Sequence, residues 1–356
     1  MIKEEPNYRL RFILLGVLFI VVFFGSFLMG RYPIDPLTLS NILIAKAWSY
    51  ILQLIKLINP GTALSPLPQT WTDAASTVVF QIRLPRVAAA ALIGAALSVA
   101  GAAYQGMFRN PMVSPDILGA STGAGFGAAL AIFLSVGSFG ISIISFLFGL
   151  GAMLVVYAIS RTSRLNPMLS LVLSGIMVSS LFQSCTSFIK LIADTQNTLP
   201  AITFWLMGSL VSIKPQDLLF LSIPVVVSMI PIILLRWRIN LLTVSEDEAK
   251  SLGINTSLLR AIVILCATLM TSACVAVSGM IGWVGLVIPH FSRMIFGFDY
   301  RRIIPASILM GATFLMFVDT IARNITASEI PLGILTSFIG APVFVYLILR
   351  GGASRD

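Results

Sequence analysis

The run Leu84–Met107, LPRVAAAALIGAALSVAGAAYQGM, carries a single charge at Arg86 and, apart from Gln105, is otherwise apolar or small. About 20 such residues in helical form cross a hydrocarbon core of about 30 Å, so the run predicts a membrane-spanning helix. Similar runs, bounded by charge, Pro or Gly, recur along the whole chain. Together they predict ten spans: 11–30, 84–107, 117–136, 140–160, 167–190, 216–236, 258–279, 281–297, 303–324 and 331–349.

The composition of the 356 residues agrees with this pattern. Hydrophobic residues make up 57% of the chain and charged residues only 10%, where a soluble domain carries roughly 25% charged residues. No stretch is left over for a soluble catalytic domain. We therefore expect an all-α polytopic membrane protein of about ten transmembrane helices, built as a single domain over residues 1–356.

The distribution of basic residues predicts the orientation. Lys and Arg number 23 against 14 Asp and Glu, and cytoplasmic loops of membrane proteins are enriched in Lys and Arg. An even number of spans puts both termini on one side, and placing them in the cytoplasm leaves most of the basic residues inside. The sequence has no basic cluster with interleaved aromatic residues, so nothing in it suggests nucleic-acid binding.

Two longer segments are predicted to lie outside. In residues 31–83, the stretch Asn41–Ile58 is apolar but interrupted by polar residues, which favours a helix at the membrane interface. That helix could be a docking surface or a lipid-facing spacer, and amphipathicity alone names no partner. The second segment, residues 191–215, contains an apolar stretch at 203–208 that is too short to span and indicates a short external or re-entrant helix.

One inside loop, residues 240–258, has the pattern of a helix of its own. Ser245 is suited to be an N-cap, with Glu248 three residues later as in a capping box, and Gly253 is placed to end the helix. Acidic residues in the first turn suit the helix dipole. The loop could present a face to another protein or could simply be a solvated helix.

Catalytic constellations are missing from the sequence. It has no phosphate-binding G-x-x-x-x-G-K-[ST] loop, so any ATP chemistry must come from another subunit. The one histidine, His290, could be a proton relay or could hydrogen-bond backbone near Pro289. Cys185, Cys266 and Cys274 lie in apolar runs without metal-ligand spacing, so we expect no metal site.

Three arginines run against the orientation bias. Arg83, Arg86 and Arg323 are predicted at the outer ends of their spans, where guanidinium groups could capture carboxylates or contact lipid phosphate. Asp319 and Arg323 are spaced i,i+4 and can pair on one helix face.

Four motifs in the same order resemble the permease family of iron-siderophore, haem and vitamin B12 ABC importers, over about residues 75–350. The motifs are QIRLPR at 81–86, GAAYQGMFRNPMVSPDILG at 101–119, GMIGWVGLVIPHFSR at 279–293 and LGILTSFIGAPVF at 332–344. The region before residue 75 is longer than expected for the vitamin B12 permease, so the external segment receives no role from the resemblance.

The resemblance implies a transmembrane permease that works as a dimer, a homodimer or a pair with a similar permease, in the inner (cytoplasmic) membrane. Two ATP-binding cassette subunits would dock inside and carry ATP and Mg, and this chain would bind no cofactor. An external substrate-binding protein would deliver an iron-siderophore, haem or cobalamin for inward transport.

The resemblance also implies roles for particular residues. Arg83, Arg86 and Arg323 would dock the binding protein, and Asn110 and Met112 would narrow the cytoplasmic gate. The loop at Asn166 and Pro167 would be a second constriction of that gate. The ATPase coupling loop would comprise Ser245, Glu246, Asp247, Glu248, Ala249 and Gly253.

Two other classes of membrane protein compete with this interpretation. A secondary transporter driven by an ion gradient would need buried carboxylates on broken helices near the midplane, and the sequence lacks acids in the middle of its spans. A receptor or scaffold would bind the external protein without ATP-dependent flux.

Overall fold

The computed structural model describes residues 7–59, 64–164, 166–243, 255–326 and 328–352. The helices are α1 Tyr8–Leu28, α2 Pro36–Ile58, α3 Asp73–Thr77, α4 Leu84–Phe108, α5 Ala120–Phe133, α6 Ser138–Thr162, α7 Pro167–Ile192, α8 Thr198–Leu206, α9 Pro215–Leu242, α10 Thr256–Ser278, α11 Val284–Phe296, α12 Tyr300–Ile325 and α13 Leu332–Gly352. A π-helical turn, Val78–Arg83, joins α3 to α4, and a 3₁₀ turn, Pro115–Leu118, precedes α5.

The prediction of an all-α polytopic protein is confirmed. Each of the ten predicted spans coincides with a helix, and eight helices of the described chain are long and apolar enough to cross a membrane. Two predicted spans form shorter α-helices than expected. The span predicted at 117–136 begins with the 3₁₀ turn, and α11 starts only at Val284 because Gly279–Trp283 is not helical. At 1.5 Å per residue, α5 and α11 alone are too short to cross a core of about 30 Å.

Helix α4 is the centre of the bundle, with α9, α10, α11 and α12 packed around it. Small residues permit this packing, because a Cβ at Gly94 would overlap the carbonyl oxygen of Gly311 on α12. A Cβ at Gly101 would overlap the carbonyl oxygen of Gly285 on α11 in the same way. Backbones in membrane bundles approach this closely only where small residues meet.

The ends of these helices fall into two groups. Arg86 on α4 meets Asp319 on α12, while Gly106 on α4 meets Tyr300 at the start of α12, so the two helices are antiparallel. Following the charge bias, we call the end at Arg86 the outer end and the end at Tyr300 the inner end. Helix α1 begins at the inner end, where Arg302 lies 3.8 Å over the ring of Tyr8.

The external segment contains the predicted helix, which is longer than expected and begins at Pro36. The carboxylate of Asp35 caps it by accepting from the backbone N–H of Thr38. Hydrogen bonding to the side chain of Thr38, and next to its backbone N–H, lowers the pKa of Asp35. Most of α2 is exposed, although Leu39, Ile42 and Leu52 are buried. Length and composition would allow α2 to cross a membrane, so the interfacial position stays a prediction.

The short helix predicted at 203–208 is observed as α8, which ends just before Gly208. The carbonyl oxygens of Met207 and Gly208 accept hydrogen bonds from the backbone N–H groups of Gly333 and Leu332, at 3.0 and 2.8 Å. These amides belong to the first turn of α13, which has no partner for them within its own helix. The turn after α8 therefore caps α13.

Gly94 and Gly151 provide a test of the close packing around α4. Glycine to alanine in a helix is favourable by about 1 kcal/mol from propensity alone, and nothing lies within 4 Å of a Cβ at Gly151. We expect Gly94→Ala to cost about 1–3 kcal/mol because α4 and α12 must move apart, and Gly151→Ala to be neutral or stabilising. Thermal unfolding of the detergent-solubilised protein measures both, and equal melting temperatures would contradict the packing.

Candidate functional site

An ion-pair cluster lies at the outer end between α4 and α12. Nε and Nη2 of Arg86 donate to Oδ1 of Asp319 at 2.9 and 2.8 Å, and Nε also reaches Oδ2 at 3.2 Å. Nη2 of Arg86 lies 2.7 Å from Oε2 of Glu329, and Nε of Arg323 lies 3.2 Å from Oδ2 of Asp319. With Arg83, these residues form what we call the outer charge cluster.

The cluster also holds the end of α1. Arg83 donates to the backbone carbonyl oxygens of Phe27 and Tyr32, and Nη2 of Arg323 donates to that of Ser26 at 3.2 Å. The last carbonyl groups of a helix have no partner within the helix, and they form the negative end of its dipole. Two arginines therefore satisfy this end of α1 and fasten it to α4 and α12.

The arginines of the cluster are not free at the outer surface. Arg83, Arg86 and Arg323 are 3%, 6% and 7% exposed. The sequence suggested that these three guanidinium groups are free at the rim. In the described chain each of them is instead paired with backbone carbonyl or carboxylate groups of the protein itself. Docking of a binding protein by these residues stays a prediction, and it would require them to exchange internal partners.

The i,i+4 pair of Asp319 and Arg323 predicted from the sequence is confirmed. Sequence reasoning missed that Arg86 makes the bidentate contact to the same carboxylate, and it missed Glu329 altogether. An acid in an apolar span needs an opposite charge, which was the available signal for Asp319. Spacing could not show which distant arginine supplies that charge.

At the inner end, Arg109 connects α4 to α9. Arg109 has φ of 52°, a left-handed conformation that usually selects glycine at a helix end. Its backbone N–H donates to Gly106 and that of Asn110 donates to Gln105. Nε of Arg109 donates to the carbonyl oxygen of Leu242 at 2.8 Å, so the last turn of α9 is tied to this turn.

Both predicted gate segments are exposed turns next to helix ends. The Oδ1 atom of Asn110 accepts from the backbone N–H of Met112 at 2.9 Å, and Met112 is 51% exposed. Asn166 caps α7 by accepting from the backbone N–H of Met168 at 3.0 Å, with Pro167 as the first helical residue. The positions suit a gate, and the narrowing itself stays a prediction.

A second set of polar contacts joins α9 to α12 at the inner end. Nδ2 of Asn240 donates to Oδ1 of Asp299 at 2.8 Å, and Oδ1 of Asn240 accepts from the backbone N–H of Tyr300 at 2.9 Å. Burial opposes ionisation of Asp299, but the backbone N–H of Arg301, the Asn240 amide and nearby arginines outweigh it and lower the pKa of Asp299. Asp299 is therefore ionised at neutral pH and caps α12.

The predicted coupling residues, Ser245, Glu246, Asp247, Glu248, Ala249 and Gly253, lie outside the described residues, between Thr243 and Asn255. The structure places the two ends of this segment. Helix α9 ends at Leu242 beside Arg109, and α10 begins at Thr256 with Asn255 as its N-cap.

His290 lies on α11 and is half-buried. Within the described residues its ring makes no hydrogen bond or ion pair, so both roles considered from the sequence, a proton relay and a bond to backbone near Pro289, stay predictions. Among the residues that the structure describes, no three His, Cys, Asp or Glu side chains gather closely enough to hold a metal ion. Cys266 and Cys274 are buried, and Cys185 is partly exposed.

Asp319 and Glu329 provide a matched test of the outer charge cluster. Asp319→Asn leaves two buried guanidinium groups with less opposing charge, and breaking a buried pair costs about 3–5 kcal/mol. We expect this variant to lose much of its thermal stability or to fail to accumulate. Glu329 is 22% exposed and contacts only Arg86 in this cluster, so Glu329→Gln should have a smaller effect. Equal losses in thermal unfolding would show that burial does not set the energy of the cluster.

Comparison with known proteins supports the family that the four motifs suggest. The sequence profile of the FecCD transport family matches residues 17–350. A molybdate import system permease protein from Haemophilus influenzae is 39% identical over 96% of each chain. A probable iron chelatin transport system permease protein from Helicobacter pylori is 44% identical over 77% of this chain and 83% of its own.

The fold has a close counterpart among solved structures. A putative metal-chelate type ABC transporter, solved in an inward-facing conformation, superposes with a TM-score of 0.82 and 36% identity, covering 95% of this chain and 98% of its own. The resemblance stated from the motifs is therefore confirmed. The chain belongs to the FecCD transport family and has the fold of a polytopic ABC-transporter permease.

Proposed function

We propose that this chain is the permease subunit of an ABC importer that moves a metal-containing cargo inward across the cytoplasmic membrane. The observation that carries the proposal is the family match over residues 17–350, on a chain whose described helices account for most of that range. The same match favours an ABC importer over the secondary transporter driven by an ion gradient.

The energy would come from a separate subunit. This sequence has no phosphate-binding loop, and a P-loop is the feature that cradles the phosphates of ATP in such ATPases. We infer that two ATP-binding cassette subunits hold ATP and Mg and dock at the inner end. The permease itself makes no covalent bond with its cargo and binds no cofactor.

The cargo we propose is an iron-siderophore or a related chelate such as haem or cobalamin, as the motifs suggest. Molybdate is the second candidate. The relative named for molybdate import matches over 96% of this chain, so its similarity includes the long segment before residue 75, whereas the iron chelatin relative matches over 77%.

The inner-end contacts suggest how the partners would be coupled. The predicted coupling loop, residues 240–258, begins at the end of α9. There Arg109 donates a hydrogen bond to the carbonyl oxygen of Leu242. The next residue after Arg109 is the predicted gate residue Asn110. A movement of the loop would therefore be transmitted to the gate through the side chain of Arg109. ATP binding and hydrolysis on the partner would favour different access states of the permease.

The assembly we propose has two permease copies, two ATPase subunits and an external substrate-binding protein. A second permease copy would supply the other half of a central pathway. The binding protein would dock at the outer end, where the charge cluster keeps α1, α4 and α12 in fixed positions.

Isolation of the complex tests the assembly. We expect a mild-detergent preparation to contain a stoichiometric subunit with a phosphate-binding loop, identified by mass spectrometry. Reconstituted with that subunit and the binding protein, the complex should accumulate its cargo only with ATP. Uptake of molybdate, a ferric siderophore, haemin and cobalamin should be compared in one assay. A chain that purifies alone and transports under an ion gradient would overturn the proposal.

Proline substitution tests the coupling loop. Proline inside a helix removes a hydrogen bond and costs about 3 kcal/mol or more, so the double variant Glu246→Pro/Glu248→Pro should hydrolyse ATP without a matching rate of uptake. The control Glu246→Gln/Glu248→Gln removes the charges but keeps the helix pattern, so it separates loss of charge from loss of helix. Normal uptake in the proline variant would show that the loop does not couple the two activities.

A further inference from the structure

Helix α7 carries a row of polar side chains on one exposed face, which we call the polar stripe: Ser180, Gln183, Ser184, Ser187 and Lys190. The spacing of three and four residues puts them on adjacent turns of one helix face. The four members other than Lys190 are exposed, and Lys190 is half-buried.

The polar stripe differs from the rest of the exposed surface of α7. Leu181 and Phe188 project from the same turns and are 63% and 61% exposed, as expected for residues that face lipid. The hydroxyl of Ser187 donates to the carbonyl oxygen of Gln183 at 2.9 Å. Within the described chain the side chains of Gln183 and Lys190 have no hydrogen-bond or ion-pair partner. Unpaired polar groups are costly in hydrocarbon, so this face requires water or a polar ligand.

A groove borders the polar stripe. Gln183, Thr186, Ser187 and Lys190 line a cavity of about 360 Å³ together with Thr122 of α5. A neighbouring cavity of about 420 Å³ shares Leu206 and Met280 with the first and extends to Ser337 on α13. The groove therefore runs from α7 to α13, with a polar wall on one side and a largely apolar wall on the other.

Lys190 is the only charged residue among those lining the two cavities in the described chain. The nearest carboxylate along the chain, Asp194, accepts a hydrogen bond from the backbone N–H of Asn197 at 2.8 Å and lines neither cavity. The groove thus carries one positive charge beside an unpaired amide and several hydroxyl groups. The Lys190 ammonium attracts anions, and both it and the Gln183 amide can donate hydrogen bonds to anion oxygen atoms. The hydroxyl groups of Thr122, Thr186, Ser187 and Ser337 already donate to backbone carbonyl oxygens.

We propose that the groove is a water-filled wall of the cargo pathway and that Lys190 and Gln183 form its anion-attracting site. The ligand class is an oxygen-rich anion, whether a free metal oxyanion or the carboxylate or hydroxamate oxygens of an anionic chelate. The inference rests on the proposed transport function and adds a charge preference for the cargo.

Thiol labelling tests the site without requiring transport. Gln183→Cys is introduced in a Cys185→Ser background, since Cys266 and Cys274 are buried. The full complex in membranes is treated with an anionic sulfonatoethyl and a cationic trimethylammonioethyl methanethiosulfonate, and each rate is divided by the rate on a free thiol. We expect a preference of about fivefold for the anionic reagent, from the attraction of one nearby positive charge.

Variants of Lys190 show whether that charge is the cause. Lys190→Gln should remove the preference and Lys190→Glu should reverse it, while Leu181→Cys, on the lipid-facing side, should react with neither reagent. No reaction at Gln183→Cys would mean that a second permease or lipid covers the polar stripe, which overturns the proposal. A preference that does not change with residue 190 would overturn the anion site.

A transport assay separates this inference from the proposed function. If the unaltered complex shows ATP-dependent uptake of molybdate or a ferric siderophore, Lys190→Glu should reduce the initial rate at least about fivefold, as the repulsion of one charge predicts. Lys214→Glu is the control, because Lys214 is an exposed lysine before α9 that lines neither cavity. Equal rates in the two variants would contradict a role for Lys190 even where the importer itself is active.

Discussion

The buried ion pair between Arg86 and Asp319 is the interaction on which the outer half of the bundle depends. Two charges removed from water are stable only when each is fully paired, and here Arg323 and Glu329 complete the set. This requirement fixes the register of α4 against α12. Arginines of the outer charge cluster also donate hydrogen bonds to the last carbonyl groups of α1. The cluster therefore fixes α1, α4 and α12 relative to one another at this end.

Close glycine contacts follow from that register. Once Arg86 meets Asp319, Gly94 lies against Gly311, and further along α4 Gly101 lies against Gly285 of α11. Helices in lipid gain little from burying apolar surface against each other, so intimate packing of small residues has to supply the attraction. The charge cluster and the glycine contacts therefore support each other along α4.

The two ends of the bundle are held by different kinds of contact. The outer end around α1, α4 and α12 is fastened by buried charges. At the inner end, α9 is joined to its neighbours by a few hydrogen bonds from Arg109 and Asn240. Helix α7 also exposes the polar stripe, whereas a face in contact with lipid would be expected to be apolar.

The sequence by itself determined the all-α class, the approximate positions of ten helices, the family and the local pair of Asp319 and Arg323, because hydropathy, motif order and i,i+4 spacing are local properties. The 3₁₀ turn at Pro115–Leu118 and the start of α11 at Val284 instead of residue 281 escaped prediction, since irregular segments can keep the hydropathy of a helix. Only the tertiary structure decided that Arg83, Arg86 and Arg323 are buried rather than free at the rim. Their partners are backbone carbonyl groups and carboxylates far away in the chain, and such contacts exist only after the helices have packed.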